Sequence, residues 1–340
     1  MVKSTVRVSI DQLQNLIVAV LVRAGMAPEN AAPVAHSLAV CEQDGVKTHG
    51  ILRIDGFIDL LKSQSANGTA HPELARQAGS ILSIDAHGGF AQVALAAFRD
   101  EAMAIARSTG VAIMTIGNSH HSAAIWPDIE PIAADGFIVF SCVSSRKRMT
   151  VWGGHSPVVG TNAMAFAVPR VDENPFVWDQ STSLISYGEV LLAARTGRDV
   201  QEGAGCDVQG KPTTSPQEIL DGGALLPFGG AKGAALAVMV DILAAGLSGG
   251  SFGFEYSPPS SGTPSRGGQF LLIIDPLVAN PTFDTRVSML FDALRDAGAD
   301  RLPGDRRYQA REISRVQGIE VDGESYERLR ELAQQQMPRK

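Results

Sequence analysis

Apolar and polar residues along the chain follow two periods, and the switches between them outline the fold. Near the N-terminus Leu13, Leu16, Ile17, Val20 and Leu21 recur every three to four residues, the stripe of an amphipathic helix. Ser9 and Gln12 stand ahead of it at capping-box spacing, and Gly25 is placed to end it. Further helices are predicted over residues 30–43 and 90–108, and in the tail over 284–297 and 325–336. Short apolar runs predict strands over 81–86, 111–116, 137–143, 163–168, 176–178 and 270–274. A Gly-rich turn at Gly229 opens a buried helix reaching Leu247, while residues 257–264 have the composition of an exposed loop. The middle of the chain is strand-rich and does not read as a regular βαβ series, and no internal repeat is visible.

At 340 residues the chain is long for one core, so two domains or one large domain with a lobe are expected. A net charge of -7 argues against nucleic acid or an anionic membrane as partner, because either favours a basic surface. Cys41, Cys142 and Cys206 are far apart with no CxxC pair, which suggests neither a disulfide framework nor a zinc site and fits a reducing cytoplasm. Residues 15–22 could pass for a signal-peptide core, but Asp11, Gln12, Gln14 and Asn15 interrupt the pattern and assign it to the first helix. No segment is long and apolar enough to span a bilayer.

The GxGxxG turn of the doubly wound dinucleotide fold is missing from the sequence. Residues 205–212 nearly spell a phosphate-binding loop, but Pro212 occupies the hydroxyl position, and a hairpin or turn is expected there. The histidines show no HxxxH or HExxH spacing, so no metal is expected. The run from Asp44 to Arg53 is more suggestive. Thr48 precedes His49, histidine being a residue type that titrates near neutrality, and Arg53 can hold a carboxylate through paired hydrogen bonds. The plainer alternative is a structural histidine beside Gly50. Three other runs carry similar alternatives. Residues 117–124, Gly229 to Gly233 with Lys232, and the cationic loop 301–307 each suit an anionic ligand or an ordinary turn.

Taken together and in order, the runs 44–53, 117–130, 160–166 and 221–233 resemble the malate/L-lactate dehydrogenase-like oxidoreductase family. The nearest likeness is to its Δ1-piperideine-2-carboxylate/Δ1-pyrroline-2-carboxylate reductases. The resemblance spans nearly the whole chain and implies an α/β (α+β) fold of the family's own non-Rossmann NAD(P)-binding kind. A mixed-sheet cofactor domain would occupy residues 116–284, and a helical/αβ catalytic and dimerisation domain residues 1–115 with 285–340. It further implies a homodimer that reduces cyclic imino acids to L-proline or L-pipecolate with NADPH, NADH being less favoured.

By the same resemblance His49 is the proton donor, with Thr48 standing where the reductases usually carry serine, while Arg53 and Thr161 hold the substrate carboxylate. NADPH would be lined by His121, Ser122, Ala123, Ala124, Ile125, Trp178, Asp179, Gln180, Lys232, Gly233, Pro303, Gly304, Asp305, Arg306 and Arg307. The third relay member in those reductases is an aspartate in a His-Gly-Asp-Val run. Here the run is Tyr187-Gly188-Glu189-Val190, which keeps the acidic sign but lengthens the reach. The cationic run Ser145-Arg146-Lys147-Arg148 either meets the 2′-phosphate or forms a solvated turn. The alternative activity is oxidation of a 2-hydroxyacid such as malate, lactate or ureidoglycolate. Glu189 argues against it, since a carboxylate suits a protonated imine better than an alkoxide.

Overall fold

The computed structural model describes residues 5–256 and 266–334, so the loop expected over 257–264 lies outside the described residues. In chain order its strands are β1 (Thr5–Val8), β2 (Glu73–Ala78), β3 (Ile81–Asp85), β4 (Val111–Ser119), β5 (Ile138–Val143), β6 (Met164–Val168), β7 (Phe176–Gln180), β8 (Gly205–Cys206), β9 (Pro212–Thr213), β10 (Ala224–Leu225), β11 (Gly267–Ile274) and β12 (Ile319–Asp322). The helices are α1 (Ile10–Arg23), α2 (Pro28–Gln43), α3 (Ile54–Lys62), α4 (Ala91–Thr109), α5 (Trp126–Ala134), α6 (Tyr187–Thr196), α7 (Pro216–Leu220), α8 (Ala231–Val240), α9 (Pro276–Ala279), α10 (Phe283–Asp296), α11 (Asp305–Gln317) and α12 (Gly323–Gln334).

β11 reads as an unbroken apolar run because both of its faces are covered. Leu271 and Ile273 pack with α4 and α5 residues such as Ala102 and Ile129, whereas Phe270 packs with Val240 and Ala244 on the other side. Around it lies a seven-stranded sheet of order β2-β3-β4-β11-β5-β6-β7, in which only β3 and β4 run parallel. This is the mixed, non-Rossmann architecture expected. The small side chains Ala94, Ala102 and Ala106 let α4 lie close against the sheet.

A second core joins the chain's two ends. Leu13, Ile17, Val20 and Leu21 of α1 pack with Leu38 of α2, Phe57 of α3 and Leu329 of α12, and β1 pairs antiparallel with β12. A third, smaller core gathers Val190 and Ala193 of α6, Ile219 of α7 and Leu225 of β10. The expected division at residues 115/116 falls inside β4, whose strand partners come from both sides of it.

Two expectations are corrected. Residues 305–307 belong not to a loop but to the first turn of α11, and the helix after Gly230 is α-helical only to Val240, continuing as a π-helical turn over Asp241–Gly246. Residues 205–213 form the β8–β9 hairpin, closed by Asp207, whose Oδ1 accepts from the amides of Gln209 and Lys211 at 2.9 Å. Among the described residues no helix is long and apolar enough to cross a membrane.

Candidate active site

The chain leaves α2 through a left-handed turn at Gly45 and enters two successive 3-10 turns, Lys47–His49 and Ile51–Arg53. Their tightness places Thr48, His49 and Arg53 on neighbouring positions of one knot. Thr48 Oγ1 lies 3.0 Å from His49 Nδ1, and Arg53 Nε donates to the Thr48 carbonyl at 3.0 Å. Among the described residues Arg53 makes no ion pair, and neither terminal nitrogen of its guanidinium has a hydrogen-bond partner there. The knot rests on Glu42, a residue the sequence did not single out. Its Oε1 accepts the Ile51 amide at 2.8 Å and sits where a Cβ on Gly50 would be, so Gly50 leaves room for that carboxylate.

The surroundings of the knot are unfavourable to positive charge. The His49 pKa is pushed down to about 4, first by burial, then by the charges of Arg53 and His121. Burial likewise lowers Arg53 and raises Glu42. The influence of His121 on His49 brings the loop between β4 and α5 to the same cleft. His121 is almost wholly buried; its Nε2 meets Asp128 Oδ2 at 2.9 Å, while its Nδ1 has no partner. Asp128 also accepts from Gln269 Nε2 at 3.1 Å, and so ties the loop to the central strand β11.

Asp179, at the end of β7, faces the same loop. Its Oδ2 accepts the amides of Ile125 at 2.7 Å and Trp126 at 3.0 Å and so caps the start of α5. Burial raises its pKa, an effect opposed by those two amides, by Arg307 and by His121. Arg307 donates to the Val177 carbonyl at 2.7 Å and stacks 4.7 Å from the Trp126 ring centroid. The Ala124 amide approaches the buried thiol of Cys41, while Ser122 is exposed. Gly304 begins α11 at φ 97, Asp305 accepts the Leu302 amide at 2.7 Å, and Pro303 and Arg306 are exposed. Thr48, His49, Arg53, His121, Ile125, Asp179 and Arg307 thus form one neighbourhood.

The other expected residues make their contacts within the β6–β7 ladder and at the starts of α8 and α6. Thr161 extends the β6–β7 ladder, its carbonyl accepting from Thr182 N at 2.8 Å, and neighbouring Asn162 anchors it to α8 through the Ala237 carbonyl at 2.9 Å. Trp178 stacks on Phe166 with ring centroids 6.1 Å apart, and Gln180 is exposed at the strand end. Lys232 is exposed on the first turn of α8, next to a cavity of about 400 Å³ lined by Gly229 and Gly230. Gly233 admits no side chain, because a Cβ would lie 2.0 Å from the Phe228 carbonyl oxygen. Glu189 is exposed and closes the capping box of α6, its Oε2 accepting the Ser186 amide at 2.7 Å; no hydrogen bond or ion pair links it to His49. Among the described residues no cluster of three or more metal-ligating side chains occurs.

A mixed sheet without a GxGxxG turn, with an imidazole, a hydroxyl and a guanidinium that makes no ion pair among the described residues brought together in one knot, defines a non-Rossmann α/β protein with a candidate acid–base site for an anionic substrate. Comparison with known proteins narrows this. Residues 8–330 match the malate/L-lactate dehydrogenase family model, and the chain belongs to that family. It is 45% identical over 333 residues, covering 97% of each chain, to a Δ1-pyrroline-2-carboxylate/Δ1-piperideine-2-carboxylate reductase of Pseudomonas syringae pv. tomato. It is 42% identical, again with 97% of each covered, to the Pseudomonas putida protein of the same name. The crystal structure of a Δ1-piperideine-2-carboxylate reductase from P. syringae superposes with a TM-score of 0.93 at 44% identity, covering 96% of this chain and 99% of that one.

The family implies a nicotinamide cofactor, and the residues present fit one. The buried His121 Nδ1 lacks a partner, and the Gly229–Gly230 turn at φ 58 and 60 exposes backbone at the start of α8.

Proposed function

We propose that the protein reduces cyclic imino acids, Δ1-pyrroline-2-carboxylate and Δ1-piperideine-2-carboxylate, with NADPH. The observation that carries this is the knot of Thr48, His49 and Arg53, an imidazole backed by a hydroxyl and set beside a guanidinium with no carboxylate of its own. The names of the relatives support the same substrate class. When bound, the cofactor supplies the hydride for the imine carbon. Arg53 takes the substrate carboxylate through its free nitrogens and fixes the ring, an orientation effect worth up to about 7–11 kcal/mol in ideal cases. Thr161 assists at the carboxylate. His49 delivers a proton to the ring nitrogen. It does so as the imidazolium: Nδ1–H donates to Thr48 Oγ1 and Nε2–H faces the substrate, so that loss of the Nε2 proton leaves a neutral ring. Asp179 and Arg307 act on the cofactor loop by fixing the entry to α5.

Oxidation of NADPH with Δ1-pyrroline-2-carboxylate, Δ1-piperideine-2-carboxylate, pyruvate and oxaloacetate tests the reading. Turnover is expected with the cyclic imino acids. Turnover confined to the oxoacids would replace it with the hydroxyacid dehydrogenase activity.

Glu189 enters this scheme only from a second copy of the chain, since within one chain its carboxylate caps the exposed start of α6, a helix that packs on the third core through Val190 and Ala193. Partly exposed Leu184, Leu191 and Leu192 beside it offer apolar surface for a homodimer. Mixing inactive His49→Asn and Glu189→Gln proteins under conditions that exchange subunits is expected to restore about a quarter of the activity, one intact site per mixed dimer. No recovery would remove Glu189 from a shared site. Buried, unpaired Cys41, Cys142 and Cys206 support a cytoplasmic location.

A further inference from the structure

In the run Arg146–Lys147–Arg148 the first two side chains are exposed and Arg148 is half-buried. The run walls a cavity of about 410 Å³ closed on the other sides by Tyr187 at the start of α6, Tyr256 and the Gly222–Gly223 turn. No aspartate or glutamate lines this cavity, and none of the three cations makes an ion pair among the described residues. The wall is fixed by backbone bonds. Lys147 N donates to the Gly253 carbonyl at 3.0 Å, Arg148 N to Val159 O at 2.8 Å, and Leu225 N to Arg148 O at 2.9 Å. Gly223 leaves no space for a side chain, since a Cβ would lie 2.2 Å from the Cys206 carbonyl oxygen, so at the Gly222–Gly223 turn the cavity is lined by backbone, and elsewhere by uncharged side chains such as Ile219 and Leu225.

Arg148 shows what such a wall lacks. Its guanidinium carbon lies 4.0 Å from the centroid of the Tyr187 ring, and burial lowers its pKa, with the charge of Arg146 acting in the same direction. A half-buried guanidinium beside two other cations and no anion is held in a state that a bound anion relieves. Three positive charges on one wall match a doubly charged group better than a single carboxylate.

We infer that this cavity is a binding site for a phosphomonoester dianion, held by Arg146, Lys147 and Arg148 with the Tyr187 ring alongside. The dianion has two sources, the 2′-phosphate of NADPH or a free phosphorylated small molecule. The first rests on the nicotinamide reading above, and the second does not.

The test uses the full chain and two variants, Arg146→Gln/Lys147→Gln, both exposed and safe for folding, and Arg148→Gln. Dissociation constants for NADPH and NADH are read from nicotinamide fluorescence without substrate, and the shift of thermal unfolding with inorganic phosphate is measured in parallel. Loss of about 10- to 100-fold in NADPH affinity with NADH unchanged supports the cofactor as source. Unchanged cofactor affinities, with a phosphate-induced stabilisation of the wild type that disappears in the variants, support a free phosphate. If neither cofactor affinity nor phosphate stabilisation responds, the site is refuted. Absence of imino acid turnover would overturn the reductase reading and leave these measurements intact.

Discussion

Replacing His49 with asparagine is expected to lower kcat by about 10²- to 10⁴-fold, the usual weight of one acid–base group, while the affinity for NADPH changes by less than about twofold. A folded variant that no longer binds NADPH would contradict the assignment. The residue's pH dependence makes a sharper test. In the free protein its pKa is about 4, lowered by burial, Arg53 and His121, so at neutral pH the ring is uncharged. A group lowered in this way is protonated only below that value, and a rate that needs the imidazolium falls as pH rises through it. A substrate carboxylate bound at Arg53, as proposed above, would offset one of the two charges that press the pKa down. Since kcat/KM reports free protein and kcat the loaded complex, the descending limb of kcat should lie at higher pH than that of kcat/KM. Coincident limbs would show that the carboxylate does not reach Arg53.

The contrast between local and distant relations explains what could be read from the sequence. Ser9 and Gln12 do form the capping box of α1, and Leu13, Ile17, Val20 and Leu21 are buried on its inner face, because both relations are confined to a few residues. Thr48, His49 and Arg53 were legible for the same reason, their contacts spanning at most five positions. By contrast α11 has no apolar stripe: of its residues only Tyr308 is buried, and the helix is held by polar contacts to distant segments. The pairing of β1 with β12 leaves no mark in either strand. Asp179 was placed at the site by family resemblance, yet its carboxylate is occupied by two amides of α5, a use that only the packed structure discloses. One signal was available and unused. Glu42 and Asp44 lie at the C-terminal end of α2, where the helix dipole disfavours acidic groups, so both required a specific partner.

That partner predicts the largest effect on stability. Asp44, whose side chain is fully buried, receives Arg311 Nε at 2.8 Å and Nη2 at 2.6 Å together with Trp126 Nε1 at 3.1 Å. The same guanidinium grips Glu130 of α5, one of its bonds there being 3.1 Å, and Ser314 adds a bond to the Gln43 carbonyl at 2.9 Å. Burial opposes the charge of Arg311, but its bonds to Asp44 and Glu130 outweigh that and raise its pKa. One side chain of α11 therefore clamps the end of α2, from which the His49 knot departs, to α5, the helix that follows the His121 loop. Arg311→Met removes the cation and leaves the Asp44 carboxylate buried without a counter-charge, an arrangement that costs about 3–5 kcal/mol. Against a typical total of about 5–15 kcal/mol this is a large share, and urea unfolding should show it directly. Adding Asp44→Asn removes the stranded charge while keeping an acceptor for Trp126, so the double variant should be more stable than Arg311→Met alone. A loss below about 1 kcal/mol for Arg311→Met would place this pair with exposed salt bridges. In that case the position of the His49 knot would depend on the hydrophobic contacts of α2 and on Glu42 rather than on the clamp.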